Sequence, residues 1–400
     1  MRSESVTSGP GVHAEHQAHV GSYASWRQDA VTLAAGALLV AALFSDGWAH
    51  ANVPELEGFF TAWHGALYTG FVVNAAWIAW LAWSGGTEDR RLGLPVGYGW
   101  GAVGVGIFAV GGLADMVWHL ILGVEVGVDA LLSPSHLVLL TGGMLILTSA
   151  LRSRWAVGDL SSIVAQGSLA LATALAAFFL LYTSEFAGAA PTVPYLRLPE
   201  GDPGHEAGEL PALVGLGSFL VTTAVLMIPL LFVWQRGRAP RGLITVVVVT
   251  VAWLSAAVVD FPVAVLAGAI GATVGALAAD GFVQLLEGRT WNRPGARLSA
   301  LAAVASGSVW TAHMVALAVT SGLEWPPELW AGALVLSSMA AAALGGLAAG
   351  ASPALWQRPA QLAGCLCSDR DSCIGGGPCG GRVVHPTRHP APDSVGRIDV

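Results

Sequence analysis

The sequence contains no lysine: all 18 of its basic residues are arginine, and charged residues of both signs make up only 11% of the 400. A soluble domain carries roughly 25%, so this chain lacks the means to cover itself with a water-facing surface. Cysteine is scarce, with four residues that all lie beyond Ala363, and a disulfide-stapled extracellular fold is therefore not implied. No Walker loop is present, nor a G-x-G-x-x-G in the strand–helix context a nucleotide site requires. No stretch mixes basic and aromatic residues in the manner of a nucleic-acid surface. The polar stretch from Met1 to Ser25 has no apolar core of the kind a cleavable signal peptide needs, so the first long apolar segment is expected to remain as a span.

What is abundant is apolar. Hydrophobic residues reach 54%, with 51 glycines and 16 tryptophans, a mixture suited to membrane helices with interfacial aromatics. A hydrocarbon core of ~30 Å needs roughly 20 apolar helical residues. Spans are read near 29–49, 60–83, 96–122, 134–151, 160–184, 211–234, 242–259, 262–285, 298–320 and 328–350, with a tight Asp260-Phe261-Pro262 turn joining the seventh and eighth. The expected fold class is an all-α integral membrane protein of about ten transmembrane helices. Residues 1–28 read as a His-containing tail, 29–351 as the polytopic domain and 352–400 as a Cys-rich tail. Alternate loops carry Arg90/Arg91, Arg152/Arg154, Arg236/Arg238/Arg241 and Arg289/Arg293/Arg297. The positive-inside rule then puts both termini in the cytoplasm of a cell-membrane protein. The opposite loops are acidic, and 186–210 is the only long one, read as an irregular cap.

Two hairpins, 29–83 and 96–151, repeat one pattern. The first runs Asp46-Gly-Trp-Ala-His50, a loop, then Thr61-Ala-Trp-His64-Gly-Ala-Leu67-Tyr-Thr69-Gly70. The second runs Asp115-Met-Val-Trp-His119, a loop, then Ser133-Pro-Ser-His136-Leu-Val-Leu139-Leu-Thr141-Gly142. Thirteen residues separate the histidines in the first copy and sixteen in the second. Asp and His four apart share one helix face, and the later His opens the returning helix. Each hairpin thus gathers one carboxylate and two imidazoles at one membrane face. That donor set is competent for copper, non-haem iron or zinc. A lone Asp-x3-His is more often a helix-end pair than a ligand set, but the full set occurring twice at equivalent positions favours metal.

The second copy, Asp115-Met-Val-Trp-His119 with Ser133-Pro-Ser-His136, resembles the C-subunit signature of the copper membrane monooxygenases, the particulate methane and ammonia monooxygenases. The resemblance covers about 25 residues per hairpin. It implies copper held within the membrane by Asp115, His119 and His136. It also implies a second cluster at Asp46, His50 and His64, where that family has Asn in place of the Asp.

Other polar residues are singled out less strongly. Glu185, Asp260 and His313 are candidates to back up the ligands or carry protons, against the plainer reading of helix ends and helix-packing hydrogen bonds. Trp48, Trp63 and Trp118 flank the ligands. His13, His16 and His19 form a His-rich tract. Cys365, Cys367, Cys373 and Cys379, with His385 and His389, offer soft ligands in a stretch whose composition reads equally as unstructured. The leading expectation is a copper-dependent, monooxygenase-like oxidoreductase acting on a small substrate with O2. It would work within the lipid bilayer, with a quinol or other reductant and with partner subunits as further partners. Metal transport or homeostasis, and a non-catalytic accessory subunit, are the competing expectations. A transporter needs ligands through the midplane, and here the mid-span residues are mostly Ala, Val, Leu and Gly.

Overall fold

A computed structural model describes residues 22–53, 58–86, 93–123 and 127–350. The His13/His16/His19 tract, Glu55, Glu57, Arg90, Arg91, Glu125 and the Cys-rich tail with its thiol and imidazole candidates lie outside the described residues. The described chain is helical, with the order α1 (Trp26–Asn52), α2 (Ala62–Ser84), α3 (Gly99–Leu122), α4 (Asp129–Leu132), α5 (Pro134–Leu147), α6 (Ser149–Ala156), α7 (Ile163–Phe179), α8 (Glu185–Gly188), α9 (His205–Trp234), α10 (Leu243–Val258), α11 (Val263–Glu287), α12 (Pro294–Thr320) and α13 (Pro327–Gly350). Among the described residues eight helical segments, counting α5 and α6 together, are long and apolar enough to cross a bilayer, while α7 and α10 are shorter apolar helices. The described residues are thus those of an all-helical, multi-pass membrane protein.

Local sequence sets the helix starts. Ser25 opens α1 with a capping box: its hydroxyl accepts from Gln28 N, and the Gln28 side chain accepts from Ser25 N at 2.8 Å. Such reciprocal pairs satisfy two of the orphan donors at a helix N-terminus. Thr61 caps α2 and Ser133 caps α5, each accepting from the backbone N–H three residues on, at 3.1 and 3.4 Å. Pro134 follows Ser133 at the first helical position, where its missing N–H costs nothing.

The expected fifth span, 160–184, is cut short. The helix ends at Phe179, continues as a 3-10 turn at Leu181–Thr183 and restarts as α8. Thr183 turns its hydroxyl onto the Leu180 carbonyl, and the Glu185 N–H donates to Thr222 Oγ1 at 3.0 Å instead of continuing the ladder. Part of the expected irregular cap is also helical, since α9 begins at His205 rather than near 211. The Asp260-Phe261-Pro262 turn is present, with both Asp260 and Phe261 at positive φ. An Asp tolerates that region, but a Phe there is strained.

Close helix crossings rest on small residues, as membrane packing favours. A Cβ at Gly271 or Gly275 of α11 would sit 2.5 Å from a backbone carbonyl oxygen of α12. The same device closes both hairpins. A Cβ at Gly70 would meet Leu39 Cα at 2.9 Å, and one at Gly142 would meet Phe108 N at 2.6 Å. Each glycine lies six residues after the hairpin's second histidine, and each contacted residue lies seven before its aspartate. The sequence repeat is therefore a repeat in three dimensions.

At the start of α1 a buried polar knot ties four helices together. Asp29 pairs with Arg154 of α6 and accepts from Tyr98 Oη at 2.6 Å and Ser153 Oγ at 3.1 Å. Thr32 meets Tyr98 at 2.7 Å and accepts from Trp77 Nε1 of α2 at 2.8 Å. Asp280 of α11 accepts from Thr245 N at 2.9 Å and so caps α10 from a neighbouring helix.

Candidate metal centre

The six residues of the repeat converge on one cavity. Asp46, His50, His64, Asp115, His119 and His136 all line a space of about 100 Å³. Asp46 and His50 come from the last turns of α1, and Asp115 and His119 from the last turns of α3. His64 and His136 open α2 and α5, so four antiparallel helix ends meet there. The remaining wall is apolar and includes Leu39, Leu67, Phe108, Leu139, Leu175 and Phe178.

Within the first hairpin, Asp46 Oδ2 lies 3.8 Å from His50 Nε2 and 3.7 Å from His64 Nε2. Within the second, Asp115 Oδ1 lies 3.5 Å from His119 Nε2 and 2.9 Å from His136 Nε2. Bonds of about 2.0–2.1 Å place tetrahedral donors about 3.4 Å apart, so the three longer separations need only close by a few tenths of an ångström around an ion. The 2.9 Å contact is already a direct hydrogen-bonding distance.

The copies are not equally satisfied. Asp115 also accepts from Ser135 Oγ at 3.1 Å and from Tyr68 Oη of α2 at 3.4 Å. In the first copy Trp63 stands where Ser135 does, and Leu140 of the second copy stands where Tyr68 does in the first. Asp46 Oδ1 is buried with no hydrogen-bond partner. His119 Nε2 is likewise buried and unpaired, while its Nδ1 lies 3.3 Å from the Gly123 carbonyl oxygen. A ring whose Nδ1–H donates to a carbonyl presents its other nitrogen as a lone pair, the state a metal requires. Buried polar atoms without partners cost about 1–3 kcal/mol each. Asp46, His64, Asp115 and His119 are exposed by only 4–8%, apart from Asp115 at 1%. Among the described residues no arginine lines the cavity to balance two carboxylates. This donor set fits a cation of the borderline, nitrogen- and oxygen-preferring kind.

Among the described residues, donor atoms lying within 4.8 Å of one another form two sets: Asp46/His50/His64, and His64/Asp115/His119. The first is the triad expected from the sequence. The second crosses between the hairpins through His64, with His136 joined by its direct contact to Asp115.

Sequence reasoning missed several supporting residues. Phe59 stacks on His64 with ring centroids 5.0 Å apart, and also lies 6.0 Å from the His119 ring. Thr61 Oγ1 meets His64 Nδ1 at 3.1 Å. Its position three before the histidine, shared with Ser133, was the available signal. Trp48 and Trp63, already singled out in the sequence as flanking the ligands, pack edge to face at 5.6 Å beside the first triad.

Glu185 and His313 are brought together away from this cavity. His313 Nε2 lies 3.2 Å from Glu185 Oε1, its Nδ1 lies 3.0 Å from the Gly268 carbonyl oxygen, and both residues are buried. Neither lines the cavity. Asp260 is exposed in its turn. No family model, curated protein or solved structure matches the chain.

Proposed function

We propose that this is a copper-dependent membrane oxidoreductase that inserts oxygen from O2 into a small apolar substrate at carbon or nitrogen. One observation carries the reading: four imidazoles and two carboxylates face a single buried cavity whose other walls are aliphatic and aromatic. Such a chamber places a redox-capable donor set against the surface an apolar molecule prefers. Copper bound by these donors would supply the one-electron chemistry that O2 activation needs. The motif likeness to the copper membrane monooxygenases supports copper over iron or zinc.

The chain's own residues have definable tasks. The imidazoles and carboxylates hold the ion. Gly123 and Thr61 fix the rings of His119 and His64. Ser135 and Tyr68 orient Asp115. The leucines and phenylalanines bind the substrate by burial and keep water out. In the overall balance O2, the substrate and a quinol give the hydroxylated product, water and a quinone, with the quinol supplying both electrons and both protons. We place α7 and α10 among ten spans and both termini in the cytoplasm, since Arg152, Arg154, Arg236, Arg238 and Arg297 cluster at alternate connections. The cavity then opens toward the non-cytoplasmic face.

Metal analysis and electron paramagnetic resonance on detergent-purified protein test the metal. Oxygen uptake with a quinol and a panel of small hydrocarbons and ammonia tests the reaction. Bound copper with no uptake on any substrate would replace this reading by one of metal handling.

A further inference from the structure

The repeat pattern in the sequence describes two separate sites, but the geometry joins them. The ring centroids of His50, His64, His119 and His136 follow one another at 5.6, 5.8 and 5.9 Å. No side chain need be crossed between one hairpin and the next, because Phe59 lies over both His64 and His119 rather than between them. Tyr68, four residues after His64 on α2, reaches across to Asp115. His64 alone belongs to both donor sets.

We infer that the hairpins form one two-ion centre, with His64 as the residue that sets the ions side by side. This rests on the metal-binding reading above. The His64 Nδ1 edge faces Thr61, leaving Nε2 as its free donor, and one lone pair serves one ion at a time. The two positions then differ in their dependence on it. At Asp115 the protein supplies His119 and His136 without His64. At Asp46 it supplies only His50. His64 therefore completes the Asp46 position while standing within reach of the other ion. His64 lies within 4.8 Å of the donors of both positions, so ions held at the two positions would be near enough for their unpaired spins to interact.

The test uses the full chain in detergent, loaded with Cu(II) alone. The expected result is two copper ions per chain and a cupric spectrum with a half-field transition. His64→Ala should lower the content from two to one and abolish that transition, leaving an isolated cupric signal. His64→Gln, which keeps a polar side chain, is expected to do the same, and unchanged melting of the copper-free variants separates lost ligation from lost folding. A wild-type content of one ion, or two ions with no magnetic interaction, overturns the inference and leaves a metal protein. So does a coupled pair that survives in His64→Ala. Failure of the wild type to bind copper at all removes the metal reading itself.

Discussion

His119 points its buried Nε2 at Asp115 Oδ1 from 3.5 Å, while the other edge of the ring faces the Gly123 carbonyl oxygen. Two acceptors thus confront each other in an apolar wall, an arrangement a bound cation relieves. Asp115→Asn should cost metal-free protein no more than about 1–3 kcal/mol, because an amide turned toward His119 Nε2 relieves that confrontation but gives up the Oδ1 contacts with Ser135 and His136. It should weaken copper binding by at least about 10–100-fold, the range seen even for residues that only support ligands. Melting curves with and without copper check this: the copper-induced rise seen in the wild type should vanish in the variant.

The ligand-orienting hydroxyls differ in what they hold. Thr61→Val removes both the cap of α2 and the partner of the His64 ring, whereas Ser133→Ala removes the cap of α5. Each should cost about 0.5–2 kcal/mol of stability. Only Thr61→Val is expected to lower occupancy at the Asp46 position, read as copper content at limiting metal.

The glycine crossings give a third contrast. Gly142→Ala drives a Cβ to 2.6 Å from Phe108 N, and Gly275→Ala drives one to 2.5 Å from the Ser308 carbonyl oxygen. Overpacking of this kind costs about 1–3 kcal/mol. Both variants should melt earlier, but only Gly142→Ala spreads the α3–α5 hairpin and should lose copper at matched temperature below melting. Equal copper loss in both would show that the effect is global.

At the other end of α1, breaking the Asp29–Arg154 pair leaves one buried charge unmatched. Asp29→Asn or Arg154→Met alone should cost about 3–5 kcal/mol, and the double variant should recover much of it. Denaturant or thermal unfolding of the three variants measures the recovery. Asp29 lies 17 residues before Asp46, about 25 Å along the helix, so the cupric spectrum of any folded variant should match the wild type.

Much of this was legible in the sequence because the governing signals are local. Apolar runs and their Arg-bearing connections located the helices. Spacing four apart put Asp46 with His50 and Asp115 with His119 on common faces. The repeat identified the six carboxylate and imidazole residues that line the cavity. What stayed hidden depends on relations between helices. Nothing local reveals that Tyr68 crosses to Asp115, that His64 stands between the two clusters, or that Asp280 caps α10. Glu185, read as a helix end, and His313, read as a helix-packing hydrogen-bonding group, lie 128 residues apart, and only the packing of their helices makes Glu185 the partner of that bond. The break after Phe179 was missed because Leu180, Leu181 and Tyr182 prolong the apolar run while Thr183, Ser184 and Thr222 redirect the backbone.

The paired crossings at Gly70/Leu39 and Gly142/Phe108 anchor each hairpin below its ligands, in the body of the bundle. The donors are therefore registered by rigid helix against rigid helix, and Gly123, Phe59 and Thr61 of the connections add only the setting of individual rings. This is why one connection can run three residues longer than the other without dispersing the imidazoles.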